Sequence, residues 1–235
     1  MMLDINWREE WMERDSRRKA PDDSAYWDGR ADEFSNRLHS NHTAGYADEF
    51  LRLLDIGPGA SVLDVGCGGG NLALPLARDC HSVLAVDFSR GMLDVLEAHA
   101  RADAERGLPT LANITTKQLA WEDDWDAAGI GDKCVDVAIA SRSTMMHDLG
   151  GAIDKLNNVA RDKVAVTMTT EYGPRSIKKL GEVVDGQPYV PDYVFCMNIL
   201  FQMGISPSLN YIDSYKLNDD GTKRLIRWAF IMWTL

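Results

Sequence analysis

Four glycines lie within five positions directly after an apolar run, in the stretch VLDVGCGGGNLALPLA at residues 62–77. Glycine is costly inside regular structure, so such a cluster predicts a turn where a ligand comes close to the backbone. The run before it is typical of a strand, and the residues after it have helical periodicity. This arrangement would direct backbone N–H groups and the positive end of a helix at the ligand.

Two carboxylates restrict what that ligand can be. Asp64 lies two residues before Gly66, where it would repel a pyrophosphate and attract an ammonium or sulfonium group. Asp87 ends the next predicted strand, where an acidic side chain can accept hydrogen bonds from both ribose hydroxyls. Asn71 stands where the dinucleotide fingerprint has its third glycine. The residues therefore predict a ligand with a ribose and a cationic part but no pyrophosphate, which is a description of S-adenosylmethionine.

The same region resembles the successive motifs of class I S-adenosylmethionine-dependent methyltransferases. The motifs are VLDVGCGGGNLALPLA, VLAVDFSRGML, QLAWEDDW and VDVAIASRSTMMHDL, and the resemblance covers roughly residues 46–170. The first two motifs are specific at their spacing. The stretch KAPDDSAYWDGRADEF also resembles an uncharacterised bacterial branch of the family, which implies no particular substrate.

The resemblance implies contacts with the methionyl part of the cofactor. Asp64 and Gly66 would face that part, and Cys67, Gly68 and Gly70 would form the loop beneath it. Cys67 suits the loop simply as a small residue, because no evident cationic partner would lower the pKa of its thiol and make it a nucleophile.

Contacts with the adenosine are implied in the same way. Asp87 would take the ribose hydroxyls, and Phe88 would pack on the adenine. Ala120, Trp121 and Glu122 would lie at the adenine edge, where the family often uses backbone groups. Trp121 is equally compatible with ordinary packing, and Asp87 with capping of the next helix.

Methyl transfer is an in-line displacement at a sulfonium carbon, so positioning and desolvation supply much of the catalysis. Ser141 follows the fourth predicted strand and, by the resemblance, would line the cofactor near its methyl group. A base is needed only if the acceptor must lose a proton early. His147, just past the same strand, is the first candidate, with helix capping or packing as its alternative role. Tyr172, after the fifth strand, is the second.

Residues missing after the fourth strand narrow the acceptor. SRSTMM lacks the Asn/Asp-Pro-Pro-aromatic motif of enzymes that methylate amino groups of bases, and the aspartate with which catechol-type enzymes hold magnesium. The formal net charge of −11 disfavours nucleic acid. We therefore expect a small-molecule acceptor, no nucleic-acid partner and no metal. Arg142 and Arg175 could pair with a carboxylate or phosphate of this acceptor, or equally with surface acids.

The length and composition of the chain suit one large domain. Of the 235 residues, 45% are apolar, which is enough for a full core. The four cysteines are dispersed without a CxxC pair, so we expect free thiols and no zinc site. The highly charged N-terminus and the interrupted apolar stretches predict a cytoplasmic protein without membrane association.

Strand and helix patterns alternate up to residue 170, which predicts right-handed βαβ units. We expect an α/β fold with a doubly wound, mostly parallel seven-stranded sheet, helices on both faces and an antiparallel last strand. Asp220-Gly221 predicts a hairpin between the last two strands.

Three segments follow from this pattern and from the resemblance. Residues 1–45 would form an N-terminal helical lid, and residues 46–235 the S-adenosylmethionine-binding methyltransferase domain. Residues from about 173 to 210 would be an insertion that covers the substrate.

Two other classes of function stay open. A non-catalytic S-adenosylmethionine-binding protein would keep the loop without the chemistry, and the lack of a compelling base leaves room for it. A nicotinamide-dependent oxidoreductase on a similar sheet is disfavoured by Asp64 and Asn71. The pattern predicts no oligomeric state.

Overall fold

A computed structural model gives the fold of the chain. It describes residues 5–18, 23–33, 41–79, 82–174, 178, 181–184, 186–218 and 220–235, without the side chains of residues 41–44 and 217.

The strands form one large sheet and one short pair. In chain order they are β1 Ser61–Val65, β2 Ser82–Asp87, β3 Ile114–Gln118, β4 Val135–Ser141, β5 Ala160–Thr169, β6 Val183–Val184, β7 Gln187–Pro188, β8 Ser208–Leu217 and β9 Lys223–Thr234. The large sheet has the order β3-β2-β1-β4-β5-β9-β8, and β6 pairs with β7. Strands β1 to β5 pair in parallel, whereas β9 runs antiparallel to β5 and β8. The predicted seven-stranded, mostly parallel sheet with an antiparallel last strand is confirmed.

Helices cover both faces of this sheet, as predicted. They are α1 Trp7–Ser16, α2 Ser24–Asp28, α3 Asn41–Leu54, α4 Ala73–Asp79, α5 Arg90–Glu105, α6 Thr110–Asn113, α7 Leu149–Val159 and α8 Asp192–Gln202. Trp11 of α1 and Ile153 of α7 belong to the core on one face, and Phe50 of α3 and Leu96 of α5 to the core on the other. Each of these helices in the described part of the chain is too short or too polar to cross a lipid bilayer.

The central strands read as nearly continuous apolar runs because both of their faces are buried. In β4, Val137 and Ile139 enter one core, and Ala138 and Ala140 enter the other. The same alternation leaves Asp64 of β1 among buried apolar neighbours, with 2% of its surface exposed.

Helix α1 is fastened over the carboxyl end of β5 by a buried carboxylate. Asp192, the first residue of α8, has its Oδ1 2.8 Å from Arg14 Nη2 and 2.6 Å from Arg18 Nη2. Its Oδ2 accepts a hydrogen bond from Thr169 Oγ1 at 2.6 Å. The N-terminal segment thus lies at the edge of the sheet where parallel α/β folds bind ligands. Its role as a lid and the role of residues 173–210 as a substrate cover stay predictions.

We predict that the ion pairs of Asp192 with Arg14 and Arg18 contribute more to the free energy of unfolding than the more exposed pair of Arg8 on the same helix. Asp192→Ala should lower the free energy of unfolding by about 3 kcal/mol, because it leaves two half-buried guanidinium groups without their partner. Asp154→Ala removes the more exposed pair with Arg8, at 2.7 Å, and should cost less than about 1 kcal/mol. Urea denaturation of both variants measures this difference. Equal losses of unfolding free energy would contradict a special role for Asp192.

Candidate functional site

The sheet has its topological switch point at β1. This strand pairs with β2 on one side and β4 on the other, and Asp64 is level with Ala85 of β2 and Ile139 of β4. Connections from strands at a switch point leave on opposite faces, which opens a crevice outside their carboxyl ends. The glycine loop after β1 and the ends of β2 and β4 therefore meet at one place.

The glycine loop is held by its own backbone and by the end of β2. The N–H groups of Gly66 and Cys67 both donate to the carbonyl of Val86, at 2.8 and 3.0 Å. Gly66 and Gly70 have φ angles of +71° and +93°, a left-handed conformation that side chains adopt rarely. These contacts fix the turn that leads into α4.

Gly66 also has no room for a side chain. A Cβ atom on it would lie 2.2 Å from the Cβ of Ser143, just after β4. Ser143 in turn donates a hydrogen bond from Oγ to the carbonyl of Val65 at 2.6 Å. Sequence reasoning missed Ser143, although its small size in SRSTMM is the signal that could have suggested a close contact.

Asp87 joins the glycine loop to the turn after β2. Its Oδ2 accepts the N–H of Gly68 at 2.8 Å, and its Oδ1 accepts the N–H of Ser89 at 2.9 Å. Burial raises the pKa of Asp87, and these two hydrogen bonds oppose the rise. Helix α5 is capped by Ser89, whose Oγ accepts the N–H of Met92 at 3.1 Å. The capping role that Asp87 could have had therefore falls to Ser89.

Asp64 is a buried carboxylate with no ion-pair partner among the described residues. Burial, and the nearby charge of Asp87, raise its pKa to about 7. No hydrogen bond from the residues that the structure describes opposes this shift. A buried carboxyl group without a donor favours a cationic ligand group that would pair with it. Asp64, Asp87 and the glycine loop thus fit an amino-acid ammonium and a ribose, the two polar ends of S-adenosylmethionine.

Cys67 lies in the same loop and is buried. Burial, with the charges of Asp64 and Asp87, raises the pKa of its thiol well above the ordinary value. Such a thiol is a poor nucleophile at neutral pH, so Cys67 acts as a small loop residue.

The residues predicted to contact the adenine lie just past the ends of β2 and β3. Phe88 is half-buried, and its carbonyl accepts a hydrogen bond from Gln118 Nε2 at 2.9 Å. The N–H of Ala120 donates to Asp123 Oδ2 at 2.8 Å, so that amide is engaged within the chain. Glu122 is exposed. The contacts of Phe88, Ala120 and Glu122 with an adenine stay predictions.

Trp121 packs against Ser143, just after β4, and against Trp125. Its Nε1 donates to the carbonyl of Ser143 at 3.0 Å, and its ring stacks on Trp125 with centroids 5.5 Å apart. This is packing of the kind that the sequence left open. It also links the loop after β3 to the loop after β4, and a contact with adenine stays a prediction.

Ser141 ends β4 in a cluster of hydroxyl groups. Its Oγ lies 2.8 Å from the hydroxyl of Tyr46, which also donates to Thr167 Oγ1 at 3.0 Å. Tyr46 is on α3 and is 2% exposed. Sequence reasoning missed it because only tertiary packing brings α3 to the end of β4.

The two candidate bases have contacts away from the glycine loop. His147 has a 60% exposed side chain, with Nδ1 3.3 Å from Asp15 Oδ2 on α1. The ring of Tyr172 lies 5.8 Å from the guanidinium of Arg227 on β9. Their catalytic roles stay predictions. Arg175 lies outside the described residues.

Asp28 of α2 reaches the site from the N-terminal segment. Its Oδ1 accepts hydrogen bonds from Ser89 Oγ at 2.6 Å and from the N–H of Gly91 at 2.9 Å. Because Ser89 also donates its N–H to Asp87, a chain of hydrogen bonds runs from α2 to the glycine loop. No pattern in the sequence pointed to Asp28.

Known proteins match this region and this fold. Residues 62–163 match the family model described as a methyltransferase domain. An uncharacterized protein of Haemophilus influenzae is 34% identical over 191 residues, which are 80% of this chain and 66% of that protein. The 23S rRNA (uracil(1939)-C(5))-methyltransferase RlmD of Cronobacter sakazakii is 36% identical over 104 residues, 42% of this chain but only 23% of RlmD. Magnesium protoporphyrin IX methyltransferase of Synechocystis PCC 6803, with bound S-adenosylmethionine, has a TM-score of 0.53 at 16% identity and covers 96% of this chain and 90% of its own.

The matching domain contains the glycine loop, both carboxylates and the hydroxyl of Ser141. The whole sheet, including its antiparallel β9, has the fold of the Synechocystis enzyme. Residues 62–163 therefore match a methyltransferase domain, and the chain has the fold of the S-adenosylmethionine-dependent methyltransferases that its motifs resemble.

We predict that the close contact at Gly66 can be measured with a matched glycine. Gly107 has a similar φ, +79° against +71°, but nothing within 4 Å of its absent Cβ. Gly107→Ala should therefore show backbone strain alone, about 1 kcal/mol. Gly66→Ala should cost about 2 kcal/mol more, because it also displaces Ser143. Chemical denaturation gives both values, and similar losses would show that Ser143 does not restrict the loop.

The raised pKa of Asp64 predicts a pH-dependent affinity for S-adenosylhomocysteine. A proton on Asp64 opposes pairing with the ligand's ammonium, so affinity should rise as the pH increases through about 7. Calorimetry should find roughly tenfold tighter binding at pH 8 than at pH 6. Asp64→Asn should weaken binding at pH 8 and flatten most of this dependence. An unchanged pH profile in that variant would show that Asp64 does not pair with the ligand.

Proposed function

We propose that the protein is an S-adenosylmethionine-dependent methyltransferase that acts on a small-molecule acceptor. The observation that carries the proposal is the buried Asp64 carboxylate beside the glycine loop. The match of residues 62–163 to a methyltransferase domain supports the reaction class, and the chain's own residues support the cofactor. The product would be S-adenosylhomocysteine.

Different residues would bind different parts of the cofactor. Asp64 would pair with the ammonium, and the loop of Gly66, Gly68 and Gly70 would let the methionyl part lie against the backbone. Asp87 would accept the ribose hydroxyls. Each carboxylate oxygen accepts about two hydrogen bonds, and the N–H groups of Gly68 and Ser89 occupy one site on each. One site on each oxygen is thus left for a hydroxyl.

When bound, the sulfonium group supplies an activated methyl group. The chain's contribution is then to hold the acceptor in line with it and to exclude water. Ser141, at the end of β4, has a hydroxyl group held by Tyr46 of α3, and this hydroxyl could orient an acceptor. The N-terminal segment, held at Asp192 and at Asp28, would close the crevice as a lid.

A small acceptor agrees better with the charge of the protein than RNA does. A net charge of −11 opposes association with a phosphate backbone. Methyltransferases named for rRNA are among the relatives, but the RlmD match spans only 23% of that protein. The Synechocystis enzyme with the same fold is named for a small molecule, magnesium protoporphyrin IX.

A non-catalytic cofactor-binding protein is the second candidate. It is favoured by the positions of His147, which is exposed and contacts Asp15, and Tyr172, which contacts Arg227. Neither side chain is fixed beside the glycine loop. An acceptor that is already nucleophilic would need no base, so the enzyme remains our proposal.

The test combines binding with methyl transfer. Calorimetry should detect S-adenosylhomocysteine but not NADH. Asp87→Asn should weaken binding at least tenfold, because it removes charge-assisted hydrogen bonds to the ribose. Asp136→Asn is the matched control. The Asp136 carboxylate accepts hydrogen bonds from Ser61 and Arg161 near the start of β4, so this substitution should leave binding unchanged.

Transfer of a tritiated methyl group then identifies the acceptor class. The proposal predicts label in the low-molecular-weight metabolite fraction of a cell extract, lost in Asp87→Asn. Label only in RNA would contradict the small-molecule acceptor. Tight binding of S-adenosylhomocysteine without transfer to any fraction would favour the binding protein.

A further inference from the structure

Arg142 has an unusual position at the end of β4. It follows Ser141 and precedes Ser143, the residue that packs against Gly66. Its φ is +59°, in the left-handed region that residues with side chains adopt rarely. Such conformations persist where surrounding structure imposes them, and they cluster at ligand sites.

Aromatic rings hold the guanidinium of Arg142 in place. Its Cζ lies 3.6 Å from the ring centroid of Tyr46 and 5.9 Å from that of Trp228. Tyr46 is fixed in turn by its hydrogen bonds to Ser141 and Thr167. Stacking uses the face of a guanidinium and leaves the N–H groups at its edge available.

No carboxylate among the described residues forms an ion pair with Arg142, and its side chain is exposed. Other arginines around this end of the sheet differ. Arg14 and Arg18 share Asp192, and Arg227 forms a two-point pair with Asp213 at 2.7 Å. Arg142 is thus a positioned cation without an anionic partner among the described residues, in a protein of strongly negative net charge.

We propose that Arg142 anchors the acceptor and that the acceptor carries a carboxylate or a phosphate. This inference rests on the proposed function and deepens it. The planar guanidinium matches two oxygens of either group. The anchor directly follows β4, next to the hydroxyl groups of Ser141 and Tyr46, whereas the cofactor's cationic part would lie at Asp64 of β1. The two charges would therefore hold acceptor and cofactor at adjacent strand ends.

The cofactor has a carboxylate of its own, so the first arm of the experiment separates the two sources. Calorimetry compares S-adenosylhomocysteine with 5′-methylthioadenosine, which lacks the amino-acid part, on the wild type and Arg142→Gln. The inference predicts that the substitution changes neither affinity more than twofold. A loss for S-adenosylhomocysteine alone would assign Arg142 to the cofactor and overturn the inference, although the proposed function would stand.

The second arm tests anion binding to the complex with saturating S-adenosylhomocysteine. Benzoate and phenyl phosphate are the probes, and benzyl alcohol is the neutral match. At least one anion should bind the wild type, and Arg142→Gln should weaken it at least tenfold while leaving benzyl alcohol unchanged. Arg142→Lys should recover part of the loss.

Arg52→Gln is the matched control, because Arg52 also belongs to the helix that carries Tyr46 but pairs with Glu49. It should bind the anions as the wild type does. Failure of both anions to bind the wild-type complex, or equal binding by Arg142→Gln, would overturn the inference. Failure of the wild type to bind S-adenosylhomocysteine at all would instead overturn the proposed function.

Discussion

The carboxylate of Asp87 is the interaction on which the geometry of the crevice depends. It accepts one N–H from the loop after β1 and one from the turn after β2, so it fixes the two segments relative to each other. Gly68, which donates the N–H from the loop, has a φ of +53° in the left-handed region. Asp87 holds the loop and, in our proposal, would also hold the ribose, so one side chain would couple the fold to the ligand.

The charges of the site are arranged on two neighbouring strands. Asp64, on β1, is buried, and its pKa is raised to about 7 because its charged form is costly there until a cation approaches it. Arg142, after β4, is exposed and held by aromatic rings. Helix α1 and helix α2 span the same edge, the first through Asp192 and the second through Asp28. The N-terminal segment therefore contacts the rest of the chain at two places along this edge of the sheet.

Local patterns were enough to predict the sheet and the position of the glycine loop. The alternation of strands and helices, the Asp220-Gly221 turn and the spacing between Gly66 and Asp87 are all properties of short segments. Tyr46 and Asp28 could not be predicted, because each reaches the site only when a helix distant in sequence packs against the sheet. The contact of His147 with Asp15 of α1 could not be predicted for the same reason. Only the position of His147 just after β4 follows from the sequence.

A crystal structure of the protein with S-adenosylhomocysteine tests the central claim most directly. The account predicts both ribose hydroxyl oxygens within about 3 Å of the Asp87 carboxylate, with the Gly68 hydrogen bond retained, and the amino group beside Asp64. A ligand bound elsewhere, or a ribose remote from Asp87, would contradict the account and leave the sheet without the site proposed for it.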